Sequence, residues 1–183
     1  MGHRHAGRGF VLGVSLLALL GAGCTPESTT PPPATSTSAT PTESAQEREE
    51  RIAYEAAEKS YREFSSEFRR VTGEGGARSA TPRMKATAGG PYLANAVKVI
   101  KAYKDTGGHT EGKTKFGYIR PGGYSNDSLL LDVCEDETAV KTFDKKGKQV
   151  ARNGVLVLQL EVRSRDGAWR VWDYSGKEAK SCA

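Results

Sequence analysis

The chain has 183 residues, 37% of them hydrophobic and 27% charged, and a formal net charge of +5. Setting aside an apolar leader and a Thr/Ser/Pro-rich stretch leaves about 140 residues, enough for one domain with one core. Residues 44–183 hold 25 basic and 20 acidic side chains, again +5. This mild excess suits a neighbourhood of anionic lipid or wall polymer and is too weak to argue for nucleic acid as a partner.

The chain opens on His3, Arg4, His5 and Arg8, a short basic region. Phe10 to Ala22 is a 13-residue apolar and small-residue run, too short to span a bilayer comfortably. Gly21-Ala22-Gly23 supplies small residues for a peptidase, so residues 1–23 read as a secretory signal peptide. Cys24 follows at once, and the segment resembles a bacterial lipoprotein signal, in which the cysteine becomes the lipidated first residue. It departs from the usual pattern in having Gly21 three places before the cysteine, with Leu20 one place earlier. The resemblance implies a lipid anchor on Cys24; the other reading is a secreted protein cut near the same place with Cys24 free. Thr25 to Glu43 is nearly all Thr, Ser, Pro and Ala around Pro31-Pro32-Pro33. It cannot form a core and reads as a disordered tether with a reach of at most ~60 Å.

From Ser44 to Thr72, Tyr54, Ala57, Tyr61, Phe64, Phe68 and Val71 recur at spacings 3-4-3-4-3, one face of a long helix. Ser44 and Glu47 form a capping-box pattern, Glu47/Arg51, Glu55/Lys59 and Glu58/Arg62 are i,i+4 charge pairs, and Thr72-Gly73 is the stop. A Gly-rich break and a polar loop bearing Arg78, Arg83 and Lys85 lead to a second helix from Pro91 to Lys104, with Leu93, Ala96, Val97, Ile100 and Tyr103 inward. Gly107-Gly108 ends it.

The period then changes to two. Strands are predicted around Thr114 to Tyr118, over Leu129 to Glu135 and Thr138 to Phe143, and, after the turn Asp144-Lys145-Lys146-Gly147, over Val150 to Ser164. Asp166-Gly167 marks a hairpin to a last strand, Ala168 to Tyr174. A two-residue turn pairs Arg165 with Ala168 and Val162 with Val171. Strict alternation then puts Leu156, Leu158, Leu160 and Val162 on one face with Trp169, Val171 and Asp173. The opposite face carries Val155, Val157, Gln159 and Glu161 with Arg170, Trp172 and Tyr174; a three-residue loop would shift this pairing. The expected class is α+β: two helices on the concave face of a curved, four- to five-stranded antiparallel sheet, as one domain over residues 44–183.

Asp132-Val133-Cys134-Glu135-Asp136, Asp144-Lys145-Lys146-Gly147-Lys148-Gln149-Val150, Asp166-Gly167-Ala168-Trp169-Arg170-Val171 and the late Cys182 carry a further resemblance. Over roughly residues 50–182 the chain resembles the nuclear transport factor 2-like fold, the polyketide cyclase-type, cystatin-like cone, and more narrowly actinobacterial lipoproteins of that fold. That cone serves enzymes, binders and assembly modules alike, so the resemblance specifies fold more than function.

With Cys24 assigned to lipid, Cys134 and Cys182 remain, and export permits their oxidation. Their disulfide would close a loop of about 49 residues, worth roughly 4 kcal/mol; the alternative is two unrelated thiols. A metal site is not expected, because His109 is the only histidine after the leader. No cofactor is expected either.

The mouth of the cone is the natural pocket, with Tyr54, Tyr61, Phe64, Leu158, Leu160, Trp169 and Val171 as its predicted lining and an apolar small molecule as its ligand. Enzymes of this fold generally use an inward Asp or His, and Asp173 is the weak candidate for a base. In the other reading Asp173 is solvated at the sheet's end and the tyrosines are core. Val155, Val157, Trp172 and Tyr174 are expected on the uncovered sheet face, as a surface for a homodimer or an envelope protein. Lys145, Lys146 and Lys148, with Lys141 and Arg152 nearby, form a basic hairpin tip facing anionic lipid or wall polymer, or serving solubility alone. The functional expectation is a membrane-tethered extracytoplasmic lipoprotein acting as a non-enzymatic binding or accessory domain. The alternative is a hydrophobic-pocket cyclase- or isomerase-like enzyme using Asp173.

Overall fold

A computed structural model describes residues 43–182. The leader, Cys24 and all but the last residue of the tether lie outside the described residues. Helix α1 spans Ala45–Gly73, α2 Pro82–Thr87 and α3 Gly90–Thr106. The strands are β1 (His109–Glu111), β2 (Lys115–Ser125), β3 (Ser128–Asp136), β4 (Lys141–Phe143), β5 (Gln149–Arg152), β6 (Val155–Arg165) and β7 (Ala168–Ala179). They form two antiparallel sheets, a four-stranded one in the order β2-β3-β6-β7 and a three-stranded one in the order β1-β4-β5. The class is α+β, as expected.

Helix α1 begins with the capping box. The Glu47 amide donates to Ser44 Oγ at 3.2 Å and the Ser44 amide to Glu47 Oε2 at 2.8 Å. Because Glu47 is occupied there, Arg51 pairs instead with Glu43 at 2.9 Å and Glu55 at 2.8 Å; of the three expected i,i+4 pairs only Glu58–Arg62 forms, at 2.8 Å. The apolar face is buried on the four-stranded sheet through Tyr54, Ala57, Tyr61, Phe64 and Val71, with Phe68 half-buried beside them.

Three elements differ from the expected pattern. The polar segment before α3 contains the short helix α2, because Thr81 accepts from the Met84 amide at 3.2 Å and Pro82 sits in the first turn. The long strand expected from Val150 is interrupted at Asn153–Gly154, which separates β5 from β6 and creates the second sheet. The strand expected from Thr138 starts only at Lys141, because the Asp136 carboxylate accepts from both the Thr138 amide and hydroxyl and turns the chain there.

The β6–β7 hairpin starts in the expected register, Arg165 opposite Ala168 and Val162 opposite Val171. A bulge at Trp172 then shifts it: Glu161 pairs with Asp173 and Leu160 with Tyr174. Strict alternation fails beyond that point, and every later β7 side chain changes face. The bulge lies where the linker between α2 and α3 crosses the sheet edge. Ala88 forms a parallel bridge to Val171, and the Gly89 amide donates to the Val171 carbonyl at 2.9 Å. The Trp172 ring covers Gly89 and Gly90; a Cβ on Gly90 would stand 2.6 Å from it, and Gly90 has a φ of 52°.

Cys134 and Cys182 are bonded, with Cα atoms 5.6 Å apart. The bond brings the C-terminal tail onto the outer face of the sheet beside Gly117, where any Cβ would collide with Cys182.

Candidate functional site

Concave-facing residues of the four-stranded sheet form rows across β3, β6 and β7. Leu129, Val162 and Val171 make one row; then come Leu131, Leu160 and Tyr174; then Val133, Leu158 and Gly176; then Glu135, Leu156 and Glu178. The first row, with Leu131 and Leu160 of the second, is buried beneath α1 and Tyr124, whose ring centroid lies 6.3 Å from that of Tyr54. Leu158, Leu156 and Glu135 of the last two rows, with Tyr174 of the second, line a cavity of about 350 Å³, a volume within the range of small-molecule sites. Its walls are Tyr61, Phe64 and Phe68 of α1, Tyr92, Val99 and Tyr103 of α3, Leu156 and Leu158 of β6 and Tyr174 of β7.

Glu135 lines this cavity and is only 7% exposed. Burial raises its pKa above the usual carboxyl value. A hydrogen bond with Tyr61 opposes that rise, the nearby Glu137 adds to it, and Arg69 and a Ser65 hydrogen bond oppose it further. Ser65 Oγ donates to Glu135 Oε1 across 3.5 Å. Burial, and then the Glu135 charge, push the Tyr61 hydroxyl well above its ordinary pKa. Tyr92 is pushed up for the same two reasons in the same order. Its ring lies 4.9 Å from that of Phe64 and, edge-on, 5.5 Å from that of Tyr174. The cavity is therefore aromatic and aliphatic in its walls, with a protonatable carboxyl and tyrosine hydroxyls gathered at one end. Val99 (41% exposed) and Tyr174 (46%) extend apolar surface from its lining to the solvent.

Of the predicted pocket residues, Tyr61, Phe64 and Leu158 line this cavity. Tyr54, Leu160, Trp169 and Val171 do not. Leu160 and Val171 are completely buried in the filled rows, and the Trp169 carbonyl accepts from Ser60 Oγ at 2.5 Å. Asp173 is displaced by the bulge: it lies opposite Glu161 on the outer face and accepts its hydrogen bond from the Tyr174 amide at 2.9 Å. It does not enter the cavity and is no candidate base there. The bulge also divides the four residues of the expected partner face. Tyr174 lines the cavity, and Trp172 lies under the guanidinium groups of Arg163 and Arg165 at 5.2 and 5.6 Å. Val155 is buried opposite Ala179, and Val157 is half-buried opposite Cys134.

Glu135 is legible in the sequence. Leu129, Leu131, Val133 and Glu135 alternate, so the face that buries three apolar side chains also buries this carboxyl. Tyr92 gives no such signal, because its role depends on how α3 crosses the sheet. Among the described residues no three His, Cys, Asp or Glu side chains cluster as a metal site requires, and no helix is long and apolar enough to cross a membrane.

No family model matches the sequence, and no curated protein matches it. Among solved structures, the fold is similar to the intermembrane space region of the chloroplast protein ARC6, with a TM-score of 0.51 at 11% identity over 69% of this chain and 97% of that one. An uncharacterized protein with a cystatin-like fold from Caulobacter vibrioides aligns with a TM-score of 0.42 at 15% identity, over 70% of this chain and 91% of that one. At such identity the first likeness concerns the fold alone.

Proposed function

We propose that the protein is a membrane-tethered, extracytoplasmic lipoprotein whose domain is a non-enzymatic binding module for a small, mainly apolar molecule bearing one hydrogen-bonding group. The carrying observation is the cavity of about 350 Å³ with the buried Glu135 in its lining. Apolar walls supply affinity, and a carboxyl with a raised pKa, beside Tyr61 and Tyr92, supplies the polar contacts that orient a ligand. The tether rests on the basic, apolar and small-residue order that ends at Cys24.

Titration with 2-naphthol, followed by its own fluorescence, tests the binding role, with naphthalene as the comparison. The hydroxylated compound should saturate the protein and bind more tightly, and Tyr92→Phe should weaken it about fivefold. A filled cavity, Leu158→Trp, should abolish binding. Failure of both compounds to saturate, or equal binding by Leu158→Trp, ends the reading. Intact mass of membrane-extracted protein tests the tether: a diacylglyceryl adduct on a chain starting at Cys24 is expected, and a soluble product indifferent to Cys24→Ser refutes it.

One observation favours a second reading as an enzyme of the isomerase kind. A buried carboxyl hydrogen-bonded to a tyrosine can move a proton at a carbon beside a carbonyl, the role first considered for Asp173. Glu135→Gln separates the two: a binding module keeps ligand affinity within severalfold, whereas an enzyme loses turnover outright.

A further inference from the structure

We infer that the β4–β5 hairpin docks on an anionic lipid bilayer. Residues 141–152 hold five cations, Lys141, Lys145, Lys146, Lys148 and Arg152, and one acid, Asp144. All five are exposed. The one acid is turned into the loop, where its Oδ1 accepts from the backbone amides of Lys146 at 2.8 Å and Lys148 at 2.9 Å. The lysines at the tip therefore project from a turn held rigid by its own carboxylate.

None of the five cations forms an ion pair among the described residues, although Asp144 lies among them and Glu111 of β1 stands opposite Lys141. Among the described residues the ion pairs engage Arg48, Arg51, Arg62 and Arg70 of α1, Arg163 of β6 and His109, and none of the five hairpin cations. The end of α3 adds exposed Lys101 and Lys104 against Asp105. It abuts the tip closely enough that a Cβ on Gly107 would stand 3.1 Å from the Lys145 Cβ. On β1, Glu111 Oε1 lies 3.4 Å from His109 Nε2.

An apolar feature selects a bilayer over a soluble polyanion. Thr142 pairs with Ala151 and Phe143 with Gln149, so Val150 is the extra residue of a bulge. At 57% it is the most exposed large hydrophobic side chain among the described residues. Lysines alone are the usual guard of an edge strand such as β5. A bulged, exposed valine among them adds nothing to solubility, whereas cations around an apolar side chain match the headgroup boundary of an anionic membrane.

The chain outside the structure permits the contact. Helix α1, with 29 residues, is ~43 Å long at 1.5 Å per residue. The tether joins its start, and its end meets the hairpin's sheet where Thr72 and Thr110 hydroxyls lie 2.9 Å apart. The maximum reach of ~60 Å for a chain as long as residues 24–43 exceeds the helix, so an anchor at Cys24 and a docked hairpin are compatible. The docking itself needs no lipid on Cys24. Thr110 of the same small sheet, with Val140 just before β4 and Asn153 just after β5, lines the cavity, so a docked hairpin brings that wall to the membrane.

The test is co-sedimentation of residues 43–183, which contain the whole core and every described element, with two kinds of vesicle. One is phosphatidylglycerol in phosphatidylcholine; the other is phosphatidylcholine alone. Binding is expected only to the anionic vesicles and should fall with added salt. The combined variant Lys145→Gln, Lys146→Gln, Lys148→Gln should partition roughly a hundredfold less. Val150→Ser should lose severalfold with an unchanged salt dependence, and Val150→Trp should shift its emission to the blue on anionic vesicles. Equal partition of the lysine variant, or no preference for the anionic vesicles, overturns the inference. So does binding to soluble polyphosphate without binding to vesicles.

Discussion

The two ends of the interface between α1 and the four-stranded sheet are built alike and finished differently. At one end Tyr54 and Ala57 meet Leu129, Val162 and Val171, each 9% exposed or less, and the rows are filled by side chains. At the other, the same helix and the same strands leave a cavity of about 350 Å³. The difference lies in the last two rows. Leu158 lies over Gly176, where a Cβ would stand 2.5 Å from Leu158 Cδ2, and β3 ends its inward series with Glu135 instead of a fourth aliphatic residue. A sequence selected for stability alone would put an aliphatic side chain in place of Glu135. The one local departure from apolar patterning falls where the walls withdraw, which is where a functional constraint is expected to show.

The disulfide belongs to the hollow end, and removing it gives the largest expected effect. Cys134 immediately precedes Glu135 and faces the opposite side of β3, so the C-terminal tail is fixed behind the cavity. With a separation of 48 positions between the two cysteines, replacing both by serine should cost about 4 kcal/mol and lower Tm by on the order of 10 °C. A thermal melt that moves by a degree or two would mean that the hollow end stands without its staple.

The packing contrast itself predicts unequal costs for equal truncations. Leu160→Ala, in a filled row at 0% exposure, should cost about 3 kcal/mol. Leu156→Ala, on the cavity wall and already half-exposed, should cost about 1 kcal/mol, because its outer side has few partners to lose. Chemical denaturation of the two variants compares them directly. Equal losses would show that the cavity end is as tightly packed as the other.

How much of this was legible in the sequence follows the same division. The face of α1, its cap, the pairing of Val162 with Val171 and the α+β class follow from periodicity and turn chemistry, which are local. The bulge at Trp172 is not local. It arises where Gly89 and Gly90, over eighty residues earlier, pass against the β7 edge, and it moves Asp173 out of and Tyr174 into the concave face. The candidate base was therefore misplaced by one residue of register, while the carboxyl that does enter the cavity lay in plain alternation within β3. Alternation holds through β3 because Asp136 marks its end, and it fails in β7 because a distant segment shares that strand's edge.

The smallest effect concerns Glu135 and tests whether the hollow end is a dry cavity or a solvated notch. Its folded-state pKa lies above the ordinary glutamate value, with burial as the main cause. Between the ordinary value and the raised one the folded state therefore holds more proton than the unfolded state, and stability falls as pH rises through that window. Below the ordinary value the carboxyl is neutral in both states and contributes no slope. Glu135→Gln removes the titration while keeping a polar group for Tyr61 and Ser65. Thermal unfolding of both proteins should give curves that lie parallel in acid. They should diverge in the variant's favour as pH rises through the window and run parallel again above it. The final gap is about 1.4 kcal/mol for each tenfold difference in proton affinity between the folded and unfolded carboxyl. A gap that opens the other way, with the variant losing stability as pH rises, would show an ionised Glu135 held by Arg69 and the hydroxyls. No divergence at all would show a solvated carboxyl, and the polar end of the cavity would then be as wet as its rim.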